Sequence, residues 1–404
     1  MARTNNVISP DGARRIAIRA QGLALTSDRP KTVPDVLRHT RAVQLDTISV
    51  LARSHELVAY ARLGPIGREA VEDAYWGEPV SAFEYFAHAA CVLPIEEWPY
   101  FSFRRHQLGR DIRPAHAASA KMLNEVRARL KDGPVTATDL GGARKSVEGW
   151  WNWSDAKRAL EILYMRGEAV CATRRNWKRV YDLPERVVPR ELLEQEYSPE
   201  ECYRHLTRAA GKALGVGTAR DIAGYYHLLT SYVGRTLDRK RLFTDALADS
   251  GLVSVQVEGW KEPAFADPAA LNARPPRTHR TTLLSPFDSL VWADPPPPGE
   301  PPRERTRRLF GYDMLLEVYL PKDKRVHGYF TMPLLAGGRI AGHVDPAREG
   351  RTLVARNVSL HDASAVEDMA SALREAASWV NCNSIRLERV TPKSMAAALK
   401  RAVT

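Results

Sequence analysis

The chain has 404 residues, 44% of them hydrophobic and 26% charged; that excludes a disordered chain and leaves room for about two to four compact domains. Lys and Arg number 59 against 48 acids, a formal charge of +11 that favours a polyanionic partner, nucleic acid above all. Cys91, Cys171, Cys202 and Cys382 lie far apart without metal-ligand spacing, which argues against zinc and iron–sulfur centres and for buried free thiols in a reducing compartment.

The first residues carry no apolar leader, and no run approaches the roughly 20 apolar residues of a membrane span, so a cytoplasmic protein is expected. Ser9, Pro10 and Asp11 supply a cap, a first-turn proline and an early acid; they predict a helix through Ala13, Ile16, Ala17 and Leu23. A second short helix starts at Val33-Pro34-Asp35 and runs to Arg41. Residues 42–50 then alternate apolar and polar, the period of a half-buried strand. In an extended chain, residues two apart share a face, so Gln44 and Asp46 would project together while Val43 and Leu45 point inward. An amide beside a carboxylate can position a water or stabilise a positive charge. The same spacing also fits a strand whose outer face is merely polar. Arg53 and His55 follow closely enough to support the pair, and residues 82–94 (AFEYFAHAACVLP) read as aromatic core.

A second block begins near residue 117, with a helix at 121–130 and an amphipathic helix at 154–166 that Gly167 ends. Strands at 169–173 and 180–183 flank a basic tip, Arg174-Arg175-Asn176-Trp177-Lys178-Arg179, the outline of a recognition helix and its wing. The pattern recurs with helices at 198–214, 218–229 and 233–250, then a strand pair at 252–257 and around Trp260. Composition shifts at 274–277, and 294–308 reads as an exposed loop ending in a basic run at 303–308. Strands are expected at 315–320, 327–332, 339–344 and 353–358, with a basic turn at 321–325, then a long helix at 363–380 and a strand at 385–390. The expected fold class is α+β: three tandem winged-helix (helix-turn-helix) domains at 1–116, 117–193 and 194–275, followed at 276–404 by a C-terminal antiparallel β-barrel with a long helix.

Gln44-Leu45-Asp46, Arg53-Ser54-His55, FEYFAHAACVLP, SDAKRALEILYMRGE, LLSPFDSLVW and FGYDMLLEVYLPKDKRVHGYF follow one another between residue 44 and about residue 345. Their ordered combination resembles the winged-helix bacterial DNA glycosylases of the AlkZ/YcaQ type. The resemblance implies a C-shaped DNA channel, removal of N7-alkylated purines and unhooking of interstrand crosslinks. It also implies a catalytic Gln-Φ-Gln or Gln-Φ-Asp motif, here Gln44-Leu45-Asp46, which is similar to the YcaQ (AlkX) branch. Lys322, Lys324 and Arg325 then match a hairpin that resembles a minor-groove probe. Arg174, Arg175, Lys178 and Arg179 of the wing are further DNA-binding candidates, as is the 303–308 run.

The chemistry agrees with that motif. An N7-alkylguanine is already cationic, so the barrier lies in the oxocarbenium-like sugar and in delivering water to it. Ionised Asp46 would stabilise that cation and take a proton from water, while Gln44 would hold the water or the sugar-phosphate. No Lys stands beside the pair, which predicts a monofunctional hydrolase without a Schiff-base step. Neither a metal nor an organic cofactor is required. The expected partner is double-stranded DNA carrying alkylated bases or crosslinks, met by a monomer at the bacterial nucleoid and not at a membrane. A tandem winged-helix regulator without catalysis is the competing reading, but it leaves the Gln–Asp pair without a task. An adaptor that holds single strands on the barrel is a third.

Overall fold

The computed structural model describes residues 6–108, 118–140, 155–230, 237–273, 278–292, 305–314 and 316–404. Two compact units emerge: Met1–Val71 with Ala209–Ile222 and Gly251–Thr404, and Glu72–Arg208 with Ala223–Ser250.

In the first unit, α1 (Pro10–Ala20) forms where the cap residues predict it, with Ser9 Oγ accepting from the Gly12 N–H at 3.1 Å. Its buried face is Ala13, Ile16, Ala17 and Ile18. The second helix, α2 (Val33–Thr40), opens on a reciprocal box in which Thr32 Oγ1 accepts from Asp35 N–H and Asp35 Oδ2 from Thr32 N–H, at 3.3 and 3.0 Å. It ends at Arg41 in the left-handed region, φ 59°. After the Gln44 segment comes α3 (Ser54–Leu63), almost entirely buried.

A four-stranded sheet of the same unit joins Asn6–Ile8, Val253–Val257, Ala264–Ala266 and Val216–Thr218 in that order. The strand expected at 252–257 is thus an inner strand of this sheet, and its antiparallel partner is Ala264–Ala266 rather than the residues around Trp260. Asn6–Ile8, too short to show a period, runs parallel to Val253–Val257 with Asn6 opposite Val255.

The C-terminal sheet orders Thr282–Leu283, Met332–Ala336, Arg339–Glu349, Thr352–Leu360 and Ser384–Thr391. Its first four strands pair antiparallel, but Thr352–Leu360 and Ser384–Thr391 pair parallel, Leu353 opposite Ile385. The expected closed antiparallel barrel is thus replaced, among the described residues, by an open mixed sheet. The reason lies in the connection: the 15-residue helix Ala365–Trp379 carries the chain between the last two strands, as a parallel pair requires. That helix buries Met369, Leu373, Ala376 and Trp379 in a core shared with Leu51, Ala52, Leu57 and Tyr60. Tyr60 stacks on Trp379, centroids 4.4 Å apart. The segment after the Gln–Asp motif is therefore seated on the C-terminal sheet and helix.

The block LLSPFDSLVW is structural. Its Asp288 receives Arg62 Nη1 at 2.5 Å and Nη2 at 3.0 Å with both side chains shut off from water, and Arg62 Nη2 also reaches Gln21 Oε1 at 3.1 Å. The strand expected at 315–320 is instead a short 3₁₀ turn at Glu317–Tyr319, with residue 315 outside the described residues. Here the Glu317 carboxylate accepts the N–H groups of Val326, His327 and Gly328 at 3.1, 2.7 and 3.0 Å, folding the chain back in place of a ladder. The strand expected at 327–332 correspondingly begins only at Met332.

The expected loop at 294–308 lies outside the described residues as far as 304, but Arg305–Phe310 is helical. Its arginines serve the protein itself. Arg305 donates to the carbonyls of Leu290 and Leu214 at 3.2 and 2.9 Å, and Arg307 and Arg308 pair with Asp313 and Asp221.

In the second unit, Ala82–Phe86 and Ala90–Pro94 form the buried hairpin of the aromatic stretch. Helices Ala120–Lys131 and Asp155–Arg166 precede the hairpin Val170–Arg175 and Lys178–Asp182, with a bridge from Val135 to Tyr181. The expected helix at 233–250 is described from Arg239 to Asp249. Residues 274–277 and Ser154 lie outside the described residues. All four cysteines are buried and free. Among the described residues no helix is long and apolar enough to cross a membrane.

Candidate active site

Only Val43–Gln44 of the 42–50 segment is a strand, and it does not alternate. Ala42, Val43, Gln44 and Leu45 are all buried, Gln44 being 6% exposed. The expected outward-facing pair is therefore half right: Asp46 is half-buried, whereas Gln44 is enclosed. The start of α3 lies across this strand. Ser54 Oγ donates to the Gln44 carbonyl at 2.5 Å and accepts the Asp46 N–H at 3.0 Å, so one hydroxyl fixes both motif residues through their backbones.

The chain turns sharply at Asp46. Its Oδ1 accepts the Ile48 N–H at 2.8 Å, the side-chain turn typical of aspartate, which holds the carboxylate in one orientation. Burial raises the Asp46 pKa above the ordinary carboxylate value, and the N–H groups of Ile48 and Thr47 only partly oppose it. A carboxylate oriented by its own backbone and pushed toward neutrality is a competent proton acceptor and a strong counter-charge for a nearby cation.

Arg53 and His55 take other positions. The Arg53 backbone N–H donates to Glu56 Oε2 at 2.5 Å, and its Nη1 approaches the Thr47 carbonyl at 3.4 Å, bracing the loop behind Asp46. His55 is fully buried in α3 and cannot touch a substrate without unpacking that helix. Glu56 in turn receives Arg68 through Nε at 2.7 Å. Sequence reasoning missed Ser54 as the bridging residue. Its signal was present, a Ser at the start of an apolar helix, but that position ordinarily reads as a cap.

The basic tips divide in the same way. In the hairpin Val170–Arg175 and Lys178–Asp182, Arg174 and Arg179 are drawn inward onto Glu84, a carboxylate shut off from water. Arg174 approaches it through Nε at 2.6 Å and Nη2 at 2.7 Å, and Arg179 through Nε at 3.0 Å. Trp76 Nε1 and Cys171 Sγ add donors at 3.0 and 3.1 Å. Burial would raise Glu84, but Arg179 and Arg174 overcome it and hold the carboxyl down at about 2. Of the four cations expected to meet DNA, Arg174 and Arg179 are thus engaged by Glu84, while Arg175 and Lys178 stand exposed at the tip. The tip is a two-residue turn with φ 50° at Asn176 and 66° at Trp177. Arg174 lies 4.1 Å over the Trp177 ring, a contact that offsets the strain of the left-handed tryptophan.

Lys322, Asp323 and Lys324 form an exposed 3₁₀ turn rather than a strand hairpin, so the expected probe is a loop. Arg325 closes its base, donating through Nε to the carbonyls of Leu320 and Glu317 at 2.9 and 3.2 Å. Gly328, φ +136°, is needed beside it, because a Cβ there would run into the Asp345 side chain. Among the described residues no group of three or more His, Cys, Asp and Glu could hold a metal ion.

The pattern of the AlkZ-like DNA glycosylases matches residues 37–379. The fold is also similar to that of the Streptomyces sahachiroi DNA glycosylase AlkZ, with a TM-score of 0.61 at 20% identity over 95% of this chain and 100% of that one. The chain belongs to the AlkZ-like DNA glycosylase family.

Proposed function

We propose that this DNA glycosylase hydrolyses the N-glycosidic bond of N7-alkylated purines in double-stranded DNA, with Asp46 as the catalytic carboxylate. The observation that carries the reading is the Asp46 side chain: half-buried, oriented by the Ile48 N–H and raised in pKa by burial, within the stretch of chain that matches a glycosylase family. The C1′–N9 bond breaks with its electron pair going to the cationic base, which leaves neutral. The sugar becomes an oxocarbenium ion facing the Asp46 carboxylate. Water adds to C1′, and its proton passes to Asp46 and then to solvent, leaving an abasic site. Gln44, enclosed beside Asp46, acts as a positioning residue that keeps the strand and the Asp46 turn in register.

Residues 42–57 contain no Lys, which supports a monofunctional hydrolase without a Schiff-base step. Unhooking of interstrand crosslinks extends the same chemistry. A base tied to the opposite strand cannot be extruded into a closed pocket, and a partly solvent-exposed carboxylate does not demand that it be. Arg175, Lys178, Lys322 and Lys324 are exposed cations placed at turns and suit contacts with DNA phosphates. We read the repeated helix–helix–hairpin blocks as winged helices and the working form as a monomer. The expected mechanism uses no metal or organic cofactor.

The test is base release from a duplex with one N7-methylguanine. Wild type is expected to leave an alkali-labile site, and Asp46→Asn to slow release by about a hundredfold or more. Tight binding without release from either an N7-methyl or an N7-crosslinked duplex would assign the fold to a non-catalytic DNA-binding role instead.

A further inference from the structure

A second basic feature of the first unit lies outside every candidate named from the sequence. α1, α2, the end of the helix Pro199–Leu214 and the helix Pro268–Asn272 enclose an open cleft of about 410 Å³. Arg19, Arg38, Arg41 and Lys212 line it, with His39 between them; Asp28 and Asp267 are the acids that face it. Arg19 pairs with Asp28 at 2.9 Å, Lys212 stands 3.7 Å from Asp267, and Arg38 stands 3.7 Å from Asp35. Basic side chains at the end of α2 would complement the helix dipole wherever they pointed. Arg19 and Lys212 likewise stand in the last turns of their own helices, yet they arrive from other segments and converge on the same space.

We propose that this cleft holds a backbone phosphate of the DNA substrate, a proposal that rests on the glycosylase reading and locates one strand relative to Asp46. Among the described residues, four cations against three carboxylates, Asp35 beside Arg38 included, leave the cleft net positive before His39 is counted. Arg38, half-exposed at 51%, and Lys212, at 42%, present their charges at the mouth. Their guanidinium and ammonium groups suit a phosphodiester oxygen. Arg41 leads through Ala42 directly into the motif. Five residues of chain separate its Cα from that of Asp46 by no more than about 18 Å. With the reach of the side chains added, and at about 3.4 Å of helix axis per nucleotide of one strand, the phosphate lies within about ten nucleotides of the sugar under attack. Holding it there would fix the register of the strand while the lesion meets Asp46.

The test measures binding to a lesion-bearing duplex over a range of salt for wild type, Arg38→Ala, Lys212→Ala and the double variant. Loss of the contact is expected to lower the slope of log K against log salt by about 0.9 for each phosphate released, with unchanged melting temperatures. Arg38→Ala removes an exposed side chain and serves alone if Lys212→Ala disturbs the pair with Asp267. Duplexes with single methylphosphonate linkages within about ten nucleotides of the lesion locate the contact. At one linkage, neutralisation should weaken wild type and leave the double variant unaffected. Wild-type slopes in folded variants, or equal sensitivity of wild type and variant at every linkage, would overturn the proposal. So would inorganic phosphate that protects wild type but not the double variant from melting while the DNA slopes stay equal, which would assign the cleft to a free anion. Base release separates the two readings. Slopes that fall as expected without release by wild type refute the glycosylase reading alone; release with unchanged slopes refutes the cleft alone.

Discussion

Glu84 and Asp46 are both carboxylates withdrawn from water, and their surroundings drive them in opposite directions. Glu84 lies in the second unit among two guanidiniums, an indole N–H and a thiol, and its pKa falls to about 2. Asp46 lies in the first unit with backbone N–H groups as its donors, and its pKa rises. Buried charge that is fully paired holds structure together, and here it ties both strands of the hairpin Val170–Arg175 and Lys178–Asp182 to the hairpin Ala82–Phe86 and Ala90–Pro94. Buried charge met only by weak dipoles is available for chemistry.

That contrast sets the sign and size of each expected effect. Glu84→Gln takes the shared carboxylate from the buried Arg174 and leaves Arg179 to Glu161, 3.4 Å away, and denaturant unfolding should show a loss of about 3–5 kcal/mol. Because the folded pKa of Glu84 lies below its unfolded value, its stabilisation is complete above about pH 4.5 and is lost as pH falls toward about 2. Acid unfolding of the wild type should therefore include a component in that window that Glu84→Gln lacks. A variant with wild-type acid unfolding would break the comparison from the Glu84 side.

Ser54→Ala comes next. It removes the hydroxyl shared by the Gln44 carbonyl and the Asp46 N–H, with an expected cost of about 1–3 kcal/mol. Base release should fall more than the fraction of folded protein does, since the Asp46 turn loses its anchor. Asp46→Asn should act on stability with the opposite sign to Glu84→Gln. A carboxyl with a raised folded pKa costs stability once pH exceeds that pKa, and Asn can still accept the Ile48 N–H. A gain of less than about 1 kcal/mol at neutral pH is expected by melting, modest because solvent screens a half-exposed group. The smallest effect belongs to the exposed turn: Lys322→Ala or Lys324→Ala should lower the salt slope of DNA binding by about one each and leave stability unchanged.

How much of this was legible in the sequence depended on how local each cause is. The starts of α1 and α2 were readable because Ser9, Pro10 and Asp35 act within three residues of their targets, although the Thr32 cap was not singled out. The hairpin around residues 174–179 was readable, yet the fate of its arginines was not, because Glu84 lies 90 residues before Arg174. The turn at 321–325 looked like a strand hairpin because the pattern of 315–320 cannot report that Glu317 will capture three N–H groups 9 to 11 residues later. The open sheet was hidden for a similar reason: alternation reveals strands but not whether a helix returns the last one parallel. In the motif itself, spacing placed Asp46 near water but missed the covering of Gln44 by the start of α3.

The most direct test is the pH dependence of single-turnover base release from an N7-methylguanine duplex by wild type and Asp46→Asn. If Asp46 acts ionised, the wild-type rate rises with pH through a step lying above the ordinary aspartate value of 3.8, in keeping with the raised pKa. The Asn variant should lack that step and stay slow throughout. A variant as fast as wild type, or one with the same pH profile, would show that the carboxylate doing the work lies elsewhere.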